Sequence, residues 1–331
     1  MDLSTTLLGM KLKNPLIASA SPLTGSLDSI RRLEDNGMAA VVMHSLFEEE
    51  INHEIARIDH FLHIHSDLNA EATTYLPDDV AFDNLHGDHY LEELRRIKES
   101  VSIPLIASLN GVSAGGWVSY ASKLEQAGAD ALELNITYIP TSVDMDGAQV
   151  EQMYVDTVAM VKENISIPLN VKMNAYFSSP ANMAKRLVEA GADGLGIFDN
   201  PIRVDIDLEL LSPQRKANIT SSSNLSETLR WCAILYKQVE CSLYANTGIH
   251  TGEDVLKAIM SGADAAALAS VLLQHGESEV RHILHDIQAW MEKYEYESIT
   301  QMKGSISLLH TDNASAYERN SYMYALQHYR R

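Results

Sequence analysis

The sequence has little cysteine and few cationic residues, and each scarcity excludes a class of protein. Only Cys232 and Cys241 occur in 331 residues, and no CxxC motif is present. These counts exclude a cysteine-ligated iron–sulfur cluster, a zinc ribbon and a disulfide-stabilised secreted scaffold within this chain. Lysine and arginine number 25 against 45 acidic residues, which gives a net charge of −20. Because so acidic a surface repels nucleic acid and anionic lipid, we expect neither as a partner.

Long apolar runs are also missing. No stretch approaches the roughly 18 uninterrupted apolar residues of a membrane-spanning helix, so none is expected. Nor does the N-terminal sequence MDLSTTLLGMKLKNP show the basic and apolar segments of a signal peptide. We therefore expect a cytoplasmic protein. Hydrophobic residues make up 46% and charged residues 21% of the sequence, which is ordinary for a globular domain.

Two recurring phrases organise the chain. The first, a Gly-Ala-Asp sequence followed by a short apolar run, occurs at residues 127–136, 190–200 and 261–270. Its glycine suits the end of a helix, and its apolar run suits a strand buried on both faces. The second phrase, a polar linker ahead of a buried run, alternates with it. Together with similar runs near the N-terminus, these phrases predict eight strands, at residues 15–20, 39–45, 104–110, 131–137, 168–174, 194–200, 242–248 and 265–271.

Eight strands separated by helical patterns predict an α/β protein with a (β/α)8 barrel. No GxGxxG motif follows the first strand, so the doubly wound alternative lacks support. We expect one domain over residues 1–331, with an N-terminal hairpin at residues 5–15 and a helical tail from residue 277. The two long connections, residues 46–88 and 201–226, leave the C-terminal ends of strands without obvious periodicity, so we expect them on the substrate side.

Catalytic sites of such barrels lie at the C-terminal ends of the strands. Thr247-Gly248 ends the seventh predicted strand, and Ala269-Ser270 ends the eighth. Barrels often bind phosphate at these two positions through backbone N–H groups and a helix N-terminus. We therefore predict a phosphate site here. The alternative is an ordinary turn in which glycine serves backbone conformation alone.

Lys172 stands out because it interrupts the apolar run of a predicted strand. A lysine in this position must point into the barrel or be paired, since burying an ammonium group alone is costly. Three interpretations are open: a structural salt bridge to Glu133 on the neighbouring strand, a Schiff-base amine, or a cation that faces an anionic cofactor.

Other polar residues carry weaker signals. Asn135 can donate to and accept from a planar amide-like ligand. Tyr138 is either a proton donor or a packing aromatic residue. The histidine-rich stretch at residues 53–89 contains the sequence HFLHIH. No pattern in it fixes the geometry of metal ligands, so solvated or capping histidines are favoured over a metal site.

Taken in order, several motifs resemble the dihydroorotate dehydrogenase family of flavin barrels. They are NPLIASASPLTG near the N-terminus, MHS at 43–45, ELNITYIP at 133–140, PLNVKMNAYF at 168–177, NTGIHTGEDVLKAIMSGAD at 246–264 and YESITQMKG at 296–304. The resemblance covers nearly the whole chain, and its last three motifs are the most specific.

The resemblance implies an FMN cofactor bound across the top of the barrel. Lys172 would balance charge as the flavin is reduced, and Gly248 would hold its phosphate. His44, Asn135 and Asn200 would face the substrate. The implied cofactor-binding set is Ser19, Ala20, His44, Ser45, Asn135, Lys172, Thr247, Gly248, Ala269 and Ser270.

The sequence departs from the family pattern where the substrate would lie. The family's catalytic base, Cys or Ser, falls at Tyr138, and its lysine ahead of serine falls at His44. Its asparagine after Cys-Pro falls at Pro140. The candidate catalytic residues are therefore Tyr138 and Lys172, with Thr137 as an alternative base. The family's residues are retained more completely at the positions that would bind the cofactor than at those that would bind the substrate.

The resemblance thus predicts an FMN-dependent oxidoreductase that acts on a CH–CH bond. The nominal reaction would convert dihydroorotate to orotate in pyrimidine biosynthesis, whereas the departures favour another small cyclic amide or an activated alkene. The alternatives are a Schiff-base aldolase that uses Lys172 and a non-catalytic flavin-binding protein. Expected partners are the small-molecule substrate and either a soluble electron acceptor or a partner subunit, and a homodimer is also open.

Overall fold

The chain forms a closed barrel of eight parallel strands, seen in a computed structural model that describes residues 1–48, 86–111, 117–199, 202–319 and 322–327. The strands follow one another around the barrel in chain order, and the last pairs with the first. They are β3 (Leu16–Ala18), β4 (Ala40–Phe47), β5 (Leu105–Asn110), β6 (Ala131–Asn135), β7 (Leu169–Met173), β8 (Gly194–Ile197), β11 (Ser242–Ala245) and β12 (Ala265–Leu268). The predicted (β/α)8 barrel is confirmed, and each predicted strand overlaps one of these eight.

Helices connect the strands and cover the barrel. Those between barrel strands are Leu27–Asp35, His86–Lys98, Trp117–Gln126, Gly147–Glu163, Pro180–Glu189, Leu225–Leu235 and Gly252–Ser261. The helices after β12 are Ser270–His275, Glu279–Lys293, Ile299–Met302, Ser315–Glu318 and Tyr322–Gln327. Short 3-10 turns lie at Pro22–Thr24 and Ser222–Asn224. Within the described ranges, every helix is too short or too polar to be a membrane span.

The predicted N-terminal hairpin is present and closes one end of the barrel. Its strands are β1 (Thr5–Leu7) and β2 (Met10–Leu12), which pair antiparallel. The hairpin bonds to the N-terminal ends of barrel strands, because the Leu8 N–H donates to Ser242 Oγ and Thr5 Oγ1 donates to the Asp264 carbonyl. Its leucines join a fully buried cluster with residues of the inner wall. The opposite end is thereby left as the open mouth.

The second long connection is not the aperiodic loop that the sequence suggested. It contains a two-stranded antiparallel hairpin of β9 (Ile202–Asp207) and β10 (Ser212–Ala217). The first long connection is also shorter than predicted, because β4 continues to Phe47 and the next helix begins at His86. Residues 49–85, with most of the histidine-rich stretch, lie outside the described residues.

The repeated Gly-Ala-Asp phrase has one structural role at three places. The carboxylates of Asp130, Asp193 and Asp264, each at the start of a strand, accept backbone N–H groups from the preceding strand, all at 2.8 Å. Each also pairs with a lysine. The glycine two residues earlier has a positive φ in every case, between 101° and 126°. The phrase therefore ends a helix and fixes the next strand against its neighbour.

The inner wall of the barrel is polar where two neighbouring strands reach the mouth. Every residue of β6 and β7 is buried, yet apolar and polar side chains alternate along both. Leu132 and Leu134 belong to the core that packs against the helices. The residues between them face the opposite way, into the barrel. The inward-facing polar residues of these strands are Glu133, Asn135, Asn170 and Lys172.

Candidate functional site

A buried ion network near the mouth of the barrel is centred on Lys172. Its ammonium nitrogen lies 3.1 Å from Oε1 of Glu133 and 3.9 Å from Oδ1 of Asp199. It also donates a hydrogen bond to Ser19 Oγ at 3.4 Å. The side chains of Lys172 and Glu133 are only 4% and 1% exposed. The salt bridge that the sequence left as one of three interpretations is therefore present.

The charge state of Lys172 follows from these surroundings. Burial by itself lowers the pKa of the ammonium group, but the Glu133 and Asp199 carboxylates outweigh burial, so the pKa lies above its ordinary value. A Schiff base forms from an unprotonated amine, which requires a depressed pKa. The two carboxylates have the opposite effect, so the geometry disfavours the aldolase alternative. Lys172 acts as a fixed positive charge on the inner wall.

Two amide side chains complete the network: Asn246, directly after β11, and Asn135, on the same strand as Glu133. The amide nitrogen of Asn246 donates to Asp199 Oδ1 at 3.0 Å, and its amide oxygen accepts from Ser19 Oγ at 3.2 Å. The amide nitrogen of Asn135 donates to Asp199 Oδ2 at 3.3 Å. Three of the predicted residues, Ser19, Asn135 and Lys172, are thus brought together by contacts across the barrel.

The second carboxylate oxygen of Glu133 connects this network to the barrel interior. The Tyr244 hydroxyl donates to Glu133 Oε2 at 2.5 Å, and the Asn170 amide donates to the same oxygen at 3.3 Å. Burial and the adjacent carboxylate raise the pKa of Tyr244 well above its ordinary value, so the phenol remains a donor. A Cβ at Gly196 would lie 2.6 Å from Tyr244 Cζ, so the glycine makes room for this ring. Glu133 is therefore held in place on both sides.

The turn after β11 packs tightly against the start of a helix. Gly248 is buried with φ +82°, and a Cβ there would lie 2.5 Å from the Leu225 backbone nitrogen. Thr247 Oγ1 donates to the Phe198 carbonyl at 2.7 Å, which ties the turn to β8. Gly248 is consequently required both for its backbone conformation and for close approach.

Hydroxyl groups join this turn to the neighbouring strand ends. The backbone N–H and Oγ1 of Thr220 each donate to Ser270 Oγ, both at 3.1 Å. Ser222 Oγ donates to Asp254 Oδ2 at 2.6 Å. The same carboxylate oxygen accepts the Thr251 N–H at 3.0 Å in the capping box of helix Gly252–Ser261. The segments that follow β10, β11 and β12 therefore converge at the predicted phosphate site.

The remaining predicted residues lie on the rim. Ser45 Oγ is 2.9 Å from Ser108 Oγ. Thr137 is exposed and donates to Asn110 Oδ1 at 2.9 Å, whereas Tyr138 is half-buried and its hydroxyl points to Met145 Sδ at 3.4 Å. Ala20 and Ala269 are partly exposed near the ends of β3 and β12. Asn200 lies outside the described residues.

His44 is placed by an irregularity in its strand. The pairing of β4 with β5 shifts between Val42 and Ser45, so His44 does not follow simple alternation. Its ring lies 4.9 Å from the Tyr90 ring, on helix His86–Lys98, and beside the Gly25 turn. These contacts place His44 between helix His86–Lys98 and the turn at Gly25, which follows β3.

Sequence reasoning missed several residues that build the site. Asp199 and Asn246 lie near the ends of the strands predicted at residues 194–200 and 242–248, but nothing in the sequence shows that they share a hydrogen bond. Thr220 was hidden in the second long connection. Its signal is the hydroxyl-rich run Thr-Ser-Ser-Ser at residues 220–223, directly ahead of a helix. Asp254 stands three residues after Thr251, which is the spacing of a helix cap, and nothing in the sequence shows its bond to Ser222.

Comparison with known proteins gives one family. The family described as Dihydroorotate dehydrogenase matches residues 72–291. The Dihydroorotate dehydrogenase B (NAD(+)) catalytic subunit of Thermoplasma acidophilum is 27% identical over 309 residues, which cover 92% of this chain and 98% of the relative. The NAD-dependent dihydropyrimidine dehydrogenase subunit PreA of Escherichia coli is 24% identical over 324 residues, or 92% of this chain and 76% of the relative.

The family match covers well over half of the chain and includes six of the eight barrel strands. It contains Glu133, Lys172 and Asp199 of the ion network and both loops that meet at Gly248 and Ser270. The sequence resemblance is therefore confirmed by an independent comparison, and the barrel has the expected architecture. The chain belongs to the dihydroorotate dehydrogenase family and is an oxidoreductase of the dehydrogenase type.

Proposed function

We propose that the protein is an FMN-dependent dehydrogenase that acts on a C–C bond of a small, uncharged cyclic amide. The observation that carries this proposal is the Lys172 ammonium group, held protonated on the inner wall between Glu133, Asp199 and Ser19. FMN would supply a hydride acceptor when bound. A preorganised positive charge stabilises negative charge that develops during reduction, and Lys172 would take that role.

The residues at the mouth fit FMN. A flavin ring needs a polar wall with donors and acceptors, which Ser19, Asn135 and Asn246 provide beside Lys172. A phosphate group needs hydrogen-bond donors from backbone N–H groups and hydroxyls, and the turn at Gly248 lies where the segments that carry Thr220 and Ser270 converge. We assign the phosphate to Thr247, Gly248, Ala269 and Ser270, and the ring to Ser19, Ala20, Ser45, Asn135 and Lys172.

The charge of the network bears on the substrate. Two carboxylates, Glu133 and Asp199, face one ammonium group, so the network carries a net negative charge. A substrate carboxylate would be repelled unless a further cation met it. His44 stands where the family has a lysine, and its ring packs against Tyr90. An uncharged dihydropyrimidine ring therefore suits the site better than dihydroorotate.

This proposal is tested with purified protein reconstituted with FMN under anaerobic conditions. Dihydrouracil and dihydroorotate are added separately, and reduction of the flavin is followed by its visible absorption. We expect faster reduction by the uncharged ring. Faster reduction by dihydroorotate would refute the substrate assignment, and failure to bind FMN at all would refute the cofactor assignment.

Tyr138 is proposed as the group that exchanges a proton with substrate carbon. We expect Tyr138→Phe to lower the oxidation rate about a hundredfold or more, because the phenylalanine ring has no hydroxyl with which to exchange a proton. The matched control is Tyr176→Phe, at a tyrosine that is 82% exposed. Robust turnover at neutral pH that survives Tyr138→Phe would favour Thr137, or a residue of the first long connection, as base.

The electron acceptor is proposed to be a soluble molecule or a partner subunit. The Thermoplasma relative is described as a catalytic subunit and the Escherichia coli relative as a subunit, which supports a partner for this chain.

We also propose a cytoplasmic location. Cys232 and Cys241 are both unpaired thiols, and burial raises the pKa of each to about 12, so neither is suited to thiol chemistry.

A further inference from the structure

A histidine to which no role has been assigned lies beside the proposed phosphate site. His250 follows the turn at Gly248 and is partly buried. Its ring nitrogen Nε2 lies 3.3 Å from Thr220 Oγ1, which in turn donates to Ser270 Oγ at 3.1 Å. Because the hydrogen of the Thr220 hydroxyl is used for Ser270, the Nε2 atom of His250 must carry a hydrogen and donate it to Thr220. The three side chains therefore form one chain of donors that runs from His250 to Ser270.

This chain of donors ends in a hydroxyl group that still has a hydrogen to donate. Ser270 Oγ accepts from both the backbone N–H and the hydroxyl of Thr220. Within the described ranges, no atom accepts the hydrogen of the Ser270 hydroxyl. Ser270 begins the helix after β12, at the place assigned to the phosphate group of FMN. Its hydrogen can therefore be donated to a phosphate oxygen, and the donors behind it fix the orientation of the hydroxyl.

The surroundings offer a phosphate group little positive charge. Asp254 is 3% exposed, and its Oδ2 atom accepts from Ser222 Oγ and from the backbone N–H of His250. In the part of the chain that the structure describes, no lysine or arginine forms a hydrogen bond or an ion pair with Asp254, Thr220 or His250. A phosphate dianion would thus lie near a buried carboxylate, with backbone N–H groups and hydroxyls as its partners. A protonated His250 would offset this repulsion.

The imidazole of His250 is uncharged at neutral pH when no phosphate is bound. Burial lowers its pKa, Asp254 raises the pKa, and His275 on the helix after β12 lowers it again. A hydrogen bond with the Thr220 backbone also raises the pKa, but the net result lies below the ordinary value of 6.5. The other charged groups on adjoining helices are the exposed pairs Glu227–Arg230 and Glu253–Lys257, and Asp286 beside Gly252. A phosphate dianion adds negative charge and raises the pKa, so protonation of the imidazole accompanies binding.

We propose that His250 is a positioning residue for the FMN phosphate: it orients the hydroxyls of Thr220 and Ser270 toward the phosphate and takes up a proton from solvent when FMN binds. This inference rests on the proposed function, since it requires the phosphate at Gly248 and Ser270. It adds a dependence of cofactor affinity on pH. The contribution of His250 to FMN affinity grows as the pH falls into the range where an imidazole is protonated.

The test compares the wild type with His250→Gln, in which the amide N–H can still donate to Thr220 but cannot gain a proton. Both proteins are freed of flavin, and FMN affinity is measured by flavin fluorescence at about pH 6 and about pH 8. A phosphate monoester itself titrates at about pH 6, so the ratio of the two affinities is the readout. The proteins should bind FMN about equally at the higher pH. At the lower pH the wild type should bind about tenfold more tightly, which corresponds to a pKa raised by about one unit.

Calorimetry in buffers of different ionisation enthalpy measures the protons taken up as FMN binds. At about pH 7, the wild type should take up more protons than His250→Gln. Riboflavin, which has the flavin ring but no phosphate, should bind both proteins equally and without this difference in proton uptake. The matched control is His282→Gln, at a histidine whose side chain is 72% exposed and pairs with Glu279. This control should bind FMN as the wild type does.

Equal proton uptake by the wild type and His250→Gln would overturn the role of His250. So would an equal loss of affinity for riboflavin and FMN in the variant, because His250 would then support the flavin ring or the fold. Near-ultraviolet circular dichroism checks folding. If the variant does not fold, the wild type alone decides, since it must take up more protons with FMN than with riboflavin. Failure of the wild type to bind FMN would refute the cofactor assignment and this inference together, whereas tight binding without proton uptake would refute this inference alone.

Discussion

Gly248→Ala is expected to abolish FMN retention during purification, whereas Gly276→Ala leaves the cofactor bound. Both glycines have φ +82°, and ψ at Gly276 is 177°, a backbone region that is essentially restricted to glycine and costs an alanine about 1–3 kcal/mol. They differ in what a side chain would meet. A Cβ at Gly248 would lie 2.5 Å from the Leu225 nitrogen and 2.8 Å from its Cα, whereas a Cβ at Gly276 would meet no described atom within 4 Å. The pair therefore separates steric conflict from backbone strain.

The conflict at Gly248 is with main-chain atoms, which cannot rotate away as a side chain can. The start of helix Leu225–Leu235 must shift, and with it the segment that carries Thr220 against Ser270. We expect Gly248→Ala to lower the free energy of unfolding by about 2–5 kcal/mol, and Gly276→Ala by about 1–3 kcal/mol.

Flavin content, measured as visible absorption relative to protein absorption, and urea unfolding give the two readouts. Addition of excess FMN tests whether affinity rather than folding has been lost. Full flavin content in Gly248→Ala would show that the phosphate does not lie at this turn. Equal losses of stability in the two variants would show that backbone strain alone accounts for the need for glycine.

The barrel could be predicted from sequence because its signals are local. Each Gly-Ala-Asp phrase joins a helix end to a strand start, and Asp130 shows why the aspartate recurs: its carboxylate binds the Leu105 N–H on the preceding strand. Buried strands give continuous apolar runs, and short connections fix their order. The N-terminal hairpin was predictable for the same reason, since two short runs flank a turn.

The second hairpin was not predicted. Within the described residues, its apolar side chains Ile202, Val204 and Ile206 are largely exposed. Ile-Arg-Val-Asp-Ile-Asp alternates as a half-buried strand does, yet the strand is largely exposed. Within the long connection predicted at residues 201–226, this short alternation was not interpreted as a strand. Alternation predicts which residues share a face, but it does not say what covers that face.

The positions of the site residues could be predicted from the sequence, but their hydrogen-bond and ion-pair partners could not. Ser19, Asn135 and Lys172 lie at strand ends, and barrel geometry brings such residues to one mouth. Their contacts depend on which way each side chain points, and a shifted pairing such as that of β4 with β5 changes this direction for His44. Asp199 joins the network because asparagines reach it from two other strands. No local sequence pattern shows that side chains from different strands will meet at one residue.

Lys172→Met is expected to have the largest effect of any single substitution on the inner wall. It leaves Glu133 buried without its cation, and removing one partner of a buried ion pair costs about 3–5 kcal/mol. The matched control is Lys185→Met, which removes an exposed ion pair with Glu189 and should change stability by no more than about 0.5 kcal/mol. Urea unfolding of the flavin-free proteins measures both effects.

A second substitution distinguishes a charge effect from a packing effect. Lys172→Met combined with Glu133→Gln removes the unpaired charge and keeps a group that can still accept from Tyr244 and Asn170. Most of the lost stability should return, because the cost comes mainly from the uncompensated carboxylate. If the double variant is as unstable as Lys172→Met alone, the ammonium group contributes by packing or through Asp199 and Ser19.

The same variants separate structural from functional roles of Lys172. Loss of the positive charge should make the bound flavin harder to reduce, so the reduction potential falls in Lys172→Met. Glu133→Gln alone should raise the potential, since it removes a negative charge near the ammonium group. Opposite shifts in these two variants would follow from charge acting on the flavin. Unchanged potentials, combined with a large loss of stability, would show that the ion pair holds the barrel together and does not tune the cofactor.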